Sequence, residues 1–356
     1  MNPRESIYLD LLRGLAALDV VFSHACDLYQ LPVTGRWGHQ SIMIFFVLSG
    51  YLIAHVADTR EKNFQTFMVA RLARLWSVVV PALVLTVVCD LLARHIGQDP
   101  KAVASVPSDY PLIRVTSMLL FLSETWVSIQ PLSNGAAWSL CLEFWYYVVF
   151  GAWTFFRPGW VRNVLLLGGV LLSGHKGILL SPIWLMGVAL QRLPQLRRHP
   201  AWLDGVLWAA SLGLMGWIVV GRLYEPVIDA TQGALPPWLF TQLAQARVFW
   251  LDWLFGLLVA IHLLTTRRAA QWLPLEKIAG PVRRLAGISF AIYLFHTPIL
   301  HLTSTFLPPS AGWLAIAITL TLVAILGPPA EGSKRWWRAS LNRAWRIFFS
   351  SHITAV

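Results

Sequence analysis

The sequence predicts an all-α fold, a polytopic membrane bundle of about ten transmembrane helices with both termini cytoplasmic. Three observations predict it. The 356 residues are 56% hydrophobic and only 13% charged, with a mean hydropathy of +0.60 and 19 tryptophans. A soluble protein of this size needs far more charged surface. Apolar stretches close to the roughly 20 residues that cross a bilayer recur along the chain. The Lys and Arg residues gather in alternate connections, as the positive-inside bias requires.

Spans are expected near 7–28, 40–57, 72–93, 136–156, 160–175, 178–192, 203–221, 247–265, 286–306 and 312–328. The stretch 111–130 is also apolar, and counting it would make eleven. With ten, twenty of the 28 Lys and Arg fall on the inner side. Seven fall outside: Arg36, Arg94, Lys101, Arg114, Lys176, Arg222 and Arg247. An eleventh span would turn the basic C-terminal segment outward, so 111–130 is expected to lie on the outer face or dip in and return. The chain then divides into a transmembrane domain, 1–330, and a basic cytoplasmic tail, 331–356. No internal repeat or separate soluble domain is visible.

Net charge is +11. In a soluble protein that excess would point to nucleic acid; here it reads as topology signal and contact with anionic lipid, with no nucleic-acid partner. Cys26, Cys89 and Cys141 are scattered without metal-ligand spacing, so neither a disulfide framework nor a metal is expected. The first apolar stretch is interrupted by Arg13 and Asp19 and does not read as a cleaved leader.

That first helix, "YLDLLRGLAALDVVFSHA" (8–25), holds the most informative residues. Arg13 and His24 are eleven positions apart, three helical turns plus about 20°, so both project from nearly one stripe. Their axial separation is ~16 Å. Asp10, three residues before Arg13, can pair with it. Snorkelling of Arg13 and His24 to opposite surfaces is the structural alternative, but ionisable groups inside spans usually mark a working site. Asp19 lies about 120° off the stripe and is left without a role. "RLAR" (71–74) puts Arg71 and Arg74 on one helix face, suited to bidentate phosphate contacts.

"WSLCLEFWYY" (138–147) places Glu143 ~10 Å below the outer edge if the span begins near 136, a depth similar to that of His24. Ser139, Glu143 and either Tyr146 or Tyr147 share a face. A carboxylate there would pair with a histidine or form a polar clasp between helices. "SFAIYLFHTPI" (289–299) aligns Ser289, Tyr293 and His296. His301 and the histidines at helix edges, His39 and His55 among them, carry little signal.

These segments, with "IFFVLSGYLI" (44–53), occur in an order that resembles the acyltransferase-3 family of bacterial integral-membrane acyltransferases, which includes O-acetyltransferases of surface polysaccharides. The resemblance covers essentially the whole chain, and its most specific element is the Arg13–His24 spacing. Two positions depart from the pattern: Asp19 stands at a usually apolar position, and Phe290 where tyrosine often follows the serine.

The resemblance implies a multi-pass protein of the bacterial inner membrane. It would move an acyl group, by default acetyl, from cytoplasmic acyl-CoA to a hydroxyl of a cell-surface or exported carbohydrate. Acyl-CoA is then a donor substrate, not a resident cofactor. His24 and Arg13 would be the essential pair, Arg71 and Arg74 would help hold the donor, and Glu143 would support the site. With His24 as general base, Glu143 is a candidate to orient it, and Tyr293 or Ser289 to meet the oxyanion; a covalent acyl-histidine intermediate on His24 is the main variant. A transporter or flippase of a lipid-linked sugar is the alternative of another class. It finds no inverted repeat in this sequence.

Overall fold

A computed structural model describes residues 2–33, 37–96, 106–193 and 200–349. Arg36, Lys101, Arg197, Arg198, His199, His352 and the end of the tail lie outside the described residues. Every regular element among those described is helical. They are α1 (Pro3–Tyr29), α2 (Gly38–Thr59), α3 (Phe64–Ile96), α4 (Pro111–Leu119), α5 (Trp138–Phe155), α6 (Trp160–Arg192) and α7 (Ala201–Val220). After these come α8 (Tyr224–Ala234), α9 (Pro237–Leu243), α10 (Phe249–Ala269), α11 (Ala279–Gly287), α12 (Ser289–Ser304), α13 (Gly312–Gly332) and α14 (Lys334–Phe349).

Among the described residues, six stretches are long and apolar enough to cross a membrane, and a seventh is reached if the pair α11–α12, bent by 52°, counts as one. Large apolar side chains such as Leu167, Trp217 and Ile325 remain exposed, as lipid contact requires and water does not favour. The chain is a multi-pass membrane protein. α1 is 27 residues long, yet its ionisable side chains keep it out of that apolar set.

α1 starts from Asn2, whose side chain accepts from the Arg4 amide while Glu5 reaches back to the Asn2 amide, a reciprocal cap that satisfies free helix-end donors. Glu5 is buried and also accepts from Tyr51 of α2, at 2.9 Å. Hereafter the end of the bundle where α1 starts is proximal, and the other distal.

α6 is broken at Gly174, where φ is 67°. Arg162, before the break, lies over the Trp153 ring, and Arg192, after it, reaches Thr154. Both ends of α6 therefore meet the same end of α5, and the two arms run back to back. A Cβ at Gly174 would sit 1.5 Å from the Thr125 carbonyl oxygen, so only glycine fits the turn. The second arm crosses α2 at closest range: a Cβ on Gly50 would lie 2.0 Å from Trp184 O, and one on Gly187 2.0 Å from Val47 O. Small residues let membrane helices approach in this way.

Residues 111–130 do not cross. α4 has nine residues; beyond it the Leu119 and Phe121 carbonyls accept from the indoles of Trp76 and Trp145. Arg114 then closes the loop by donating to Gln130 O at 3.0 Å. The segment dips between α3 and α5 and returns. Lys176 is not the exposed loop charge expected from sequence: it is buried and bonded to Glu124 and Ser128 of this segment. A lysine that deep requires a carboxylate beside it.

Candidate active site

Two cavities, about 310 and 820 Å³, lie along α1, both in the size range of small-molecule sites. The proximal one is lined by Arg13, Arg60, Arg71, Arg74, Glu143 and Tyr147, with Ser289 and Tyr293 at its deeper wall. The distal one contains His24, His39, Tyr224, Arg247 and His301. α12 runs beside both, contributing Ser289, Phe290 and Tyr293 to the first and Thr297, Leu300 and His301 to the second.

The break between α11 and α12 positions Arg13. Its Nη2 donates to Ala286 O, a carbonyl freed at the helix end, and to Asp10 Oδ1, each at 3.0 Å. Ser289 Oγ donates to the same carbonyl at 2.9 Å. The Nε groups of Arg13 and Arg71 are buried with no partner among the described residues. An unmet buried guanidinium donor is costly, and an anionic ligand would relieve both.

His24 lies across from His296, with Nδ1 and Nε2 2.8 Å apart. His296 Nδ1 is 3.0 Å from the Ile292 carbonyl, which can only accept, so with neutral rings that nitrogen carries the hydrogen. His296 Nε2 must then accept from His24 Nδ1–H, and His24 Nε2 is left with its lone pair. Among the described residues that nitrogen has no hydrogen-bond partner. The pair thus builds a fixed imidazole with one basic nitrogen, set by a neutral partner in place of a carboxylate.

This corrects the role expected for Glu143. It lines the proximal cavity with Arg71, Arg74 and Tyr147, and does not orient His24. Counting depth from residue 136 placed it too near the distal end. Residues 132–134 and 136–138 are already buried, so α5 begins inside the bundle and carries Glu143 deeper. On the same helix Tyr147 shares the Glu143 face, whereas Tyr146 turns away to donate to Gly177 O at 2.8 Å.

Ser139 and Tyr293 meet at 2.7 Å, and the Tyr293 hydroxyl also donates to Ala136 O at 2.5 Å. Ala136 lines the distal cavity and Tyr293 the proximal one, so this cluster is a partition between the two. Asp19, unassigned from sequence, accepts from Ser41 Oγ at 2.7 Å and ties α1 to α2.

Sequence reasoning passed over His39. Its Nε2 lies 2.8 Å from Asp252 Oδ1, which also accepts from Tyr224 at 2.9 Å. Nothing local signals a pairing across 213 positions. Among the described residues, no group of three or more His, Cys, Asp or Glu could hold a metal ion.

A multi-pass helical protein with an ordered imidazole in one cavity and arginines with unmet donors in the next belongs with membrane enzymes. The chain is a member of the acyltransferase-3 family, whose model, described as an acyltransferase domain, matches residues 6–329. It is similar to an O-acetyl transferase of Shigella phage Sf6, 31% identical over 198 residues, covering 49% of this chain and 56% of that one. Nodulation protein 10 of Rhizobium leguminosarum bv. viciae is 23% identical, with 82% of each chain covered. Peptidoglycan O-acetyltransferase OatA of Listeria monocytogenes is 25% identical over 83% of this chain and 50% of its own. The chain thus spans about half the length of two of these relatives. No solved structure matches it.

Proposed function

We propose that this protein is an O-acyltransferase of the bacterial inner membrane that takes an acyl group, by default acetyl, from cytoplasmic acyl-CoA. It passes that group to a hydroxyl of an exported or cell-surface carbohydrate. The observation that carries this reading is the distribution of one helix between two cavities. Arg13 faces the proximal cavity and His24 the distal one, ~16 Å apart along α1. An extended pantetheine arm reaches about 15–20 Å by ordinary covalent spacing. The proximal face is read as cytoplasmic and the bundle as ten spans, because that topology keeps most Lys and Arg inside.

In this reading the CoA phosphates rest against Arg71 and Arg74, with Arg13 further in. Unmet Nε donors on Arg13 and Arg71 suit phosphate oxygens. The arm rises past Tyr293, whose hydroxyl must leave Ala136 O to let the thioester through. At the distal cavity the acceptor oxygen attacks the thioester carbonyl and His24 Nε2 takes its proton. The CoA thiolate leaves, and the imidazolium returns its proton to solvent or to that thiolate. Tyr293, freed from Ala136 at the partition between the cavities, is the hydroxyl assigned to meet the developing oxyanion.

Mass spectrometry of surface glycans tests the whole scheme. Cells with the gene should carry an added acyl mass that is missing from cells without it and from cells with His24→Ala. Identical glycan masses in all three would remove the proposal.

A further inference from the structure

The distal cavity holds a second ordered histidine that the scheme above leaves idle. We infer that His39, held by Asp252, is an acceptor-binding residue that takes a hydrogen bond from a second hydroxyl of a polyhydroxylated acceptor, alongside the one acylated at His24. The inference rests on the O-acyltransferase reading and assigns it a subsite.

Bonding fixes the ring. Asp252 is completely buried, and its Oδ1 lies 2.8 Å from His39 Nε2. A carboxylate accepts, so Nε2 carries the hydrogen; in the neutral ring, the form in which the acceptor hydroxyl is bound, Nδ1 keeps a lone pair. The Tyr224 hydroxyl, donating to the same carboxylate oxygen at 2.9 Å, holds the acceptor in place. His39 itself is partly open and lines the distal cavity. Its Nδ1 has no hydrogen-bond partner among the described residues.

His39 also stands close to the reacting centre. The Gly38 amide donates to Ser23 Oγ at 2.9 Å, so the residues just before His39 and His24 are in direct contact. Both imidazoles line one cavity, and each offers a ring nitrogen with a lone pair and no donor to meet it. Two further polar atoms of that wall, Gln245 Oε1 and Ser133 Oγ, are buried with no partner among the described residues.

The chemistry of the unmet groups differs between the cavities. Proximally they are guanidinium N–H donors, which call for an anion. Distally they are His39 Nδ1 and Gln245 Oε1, which accept, and Ser133 Oγ, which does both. A ligand rich in hydroxyls satisfies such a wall, since each hydroxyl donates to these acceptors and can also accept from the Arg247 guanidinium that lines the same cavity. An alcohol with a single hydroxyl would reach His24 and leave His39 unmet. Buried groups left without partners are how a site rejects an analogue lacking one hydroxyl.

Isosteric substitutions separate this role from a structural one. Glutamine at 39 keeps an N–H at the Nε2 position for Asp252 and removes the Nδ1 lone pair. Asparagine keeps an acceptor near Nδ1 and loses the Asp252 bond. The test uses the full chain in proteoliposomes, with the acyl-CoA whose acyl mass the glycan experiment reports. The acceptor is unacylated glycan extracted from the host strain lacking the gene. His39→Gln should raise the glycan KM at least tenfold while the acyl-CoA KM stays within about twofold. His39→Asn should recover part of that loss. Asp252→Asn, which preserves an oxygen acceptor for Tyr224 and His39, should recover most of what Asp252→Ala loses.

A neutral His39→Gln beside a damaged His39→Asn would overturn the subsite and leave only a link between α2 and α10. Equal rises in both KM values would overturn it as well. Wild-type protein that leaves acyl-CoA and glycan untouched would instead remove the acyltransferase reading, and the subsite with it.

Discussion

His24 Nδ1 lies 2.8 Å from His296 Nε2, and the far side of the His296 ring is held by the Ile292 carbonyl at 3.0 Å. This chain of two bonds orients His24 without placing a negative charge beside it. A carboxylate partner would stabilise an imidazolium directly; a histidine fixes tautomer and direction and contributes less to the charge.

From this relationship His24→Ala should lower kcat by ~10²–10⁴, the usual worth of a positioned base, with the protein still folded and inserted. His296→Ala should lower kcat by less, ~10-fold or more, and leave both KM values near wild type, since it touches neither substrate. Steady-state kinetics on the two variants checks the order. A His296→Ala enzyme with unchanged kcat would show that His24 needs no orienting partner.

Arg71 and Arg74 face the proximal cavity with Arg13. If they supply ground-state binding of phosphates, Arg71→Ala with Arg74→Ala raises the acyl-CoA KM more than it lowers kcat. Charge-assisted hydrogen bonds are each worth about 1.5–3 kcal/mol, so the rise should be tenfold or greater. The acceptor KM should hardly move. Donor titration at saturating acceptor measures this, and an unchanged acyl-CoA KM would take the two arginines out of the site.

Much of the candidate site's geometry is legible in the sequence because helical periodicity is local. The stripe joining Asp10, Arg13 and His24 follows from angle and rise alone, as does the shared face of Ser289, Tyr293 and His296. Depth was not legible. Glu143 was placed by assuming that its helix begins at the membrane edge, whereas α5 begins beneath a buried turn. Pairings between distant helices were equally hidden: His39 with Asp252, and Lys176 with Glu124, depend on how segments more than fifty positions apart are packed. α1 shows the converse. Its charges, which keep it out of the purely apolar set, are what mark the candidate site in the sequence.

The α2–α6 crossing sets the proximal cavity wall, because Phe46, Leu48, Ser49 and Leu52 lie on the same stretch of α2 as Gly50. Gly50→Ala puts a methyl 2.0 Å from Trp184 O, where backbone cannot yield cheaply. Overpacking of this kind costs about 1–3 kcal/mol, and a backbone clash lies at the upper end. Gly213→Ala, in α7 with nothing within 4 Å, should be neutral or stabilising by up to about 1 kcal/mol. Thermal unfolding in detergent should separate the two by several degrees. Equal midpoints would mean that α2 and α6 are free to move apart.

The ion pair between Lys176 and Glu124 ties the dipping segment to the turn of α6. Both side chains are buried, and Ser128 Oγ donates to the Glu124 carboxylate at 3.1 Å. Removing one partner strands a charge in a medium that cannot solvate it, so Lys176→Met alone should destabilise by about 3–5 kcal/mol. Removing both does not strand a charge: Lys176→Met with Glu124→Leu should recover at least half of that loss, since well-packed apolar replacements of buried pairs are often neutral. A double-mutant cycle on unfolding midpoints reads the difference. Strict additivity would show that the two charges do not depend on each other, and that the segment is held by its backbone contacts to Trp76 and Trp145 instead.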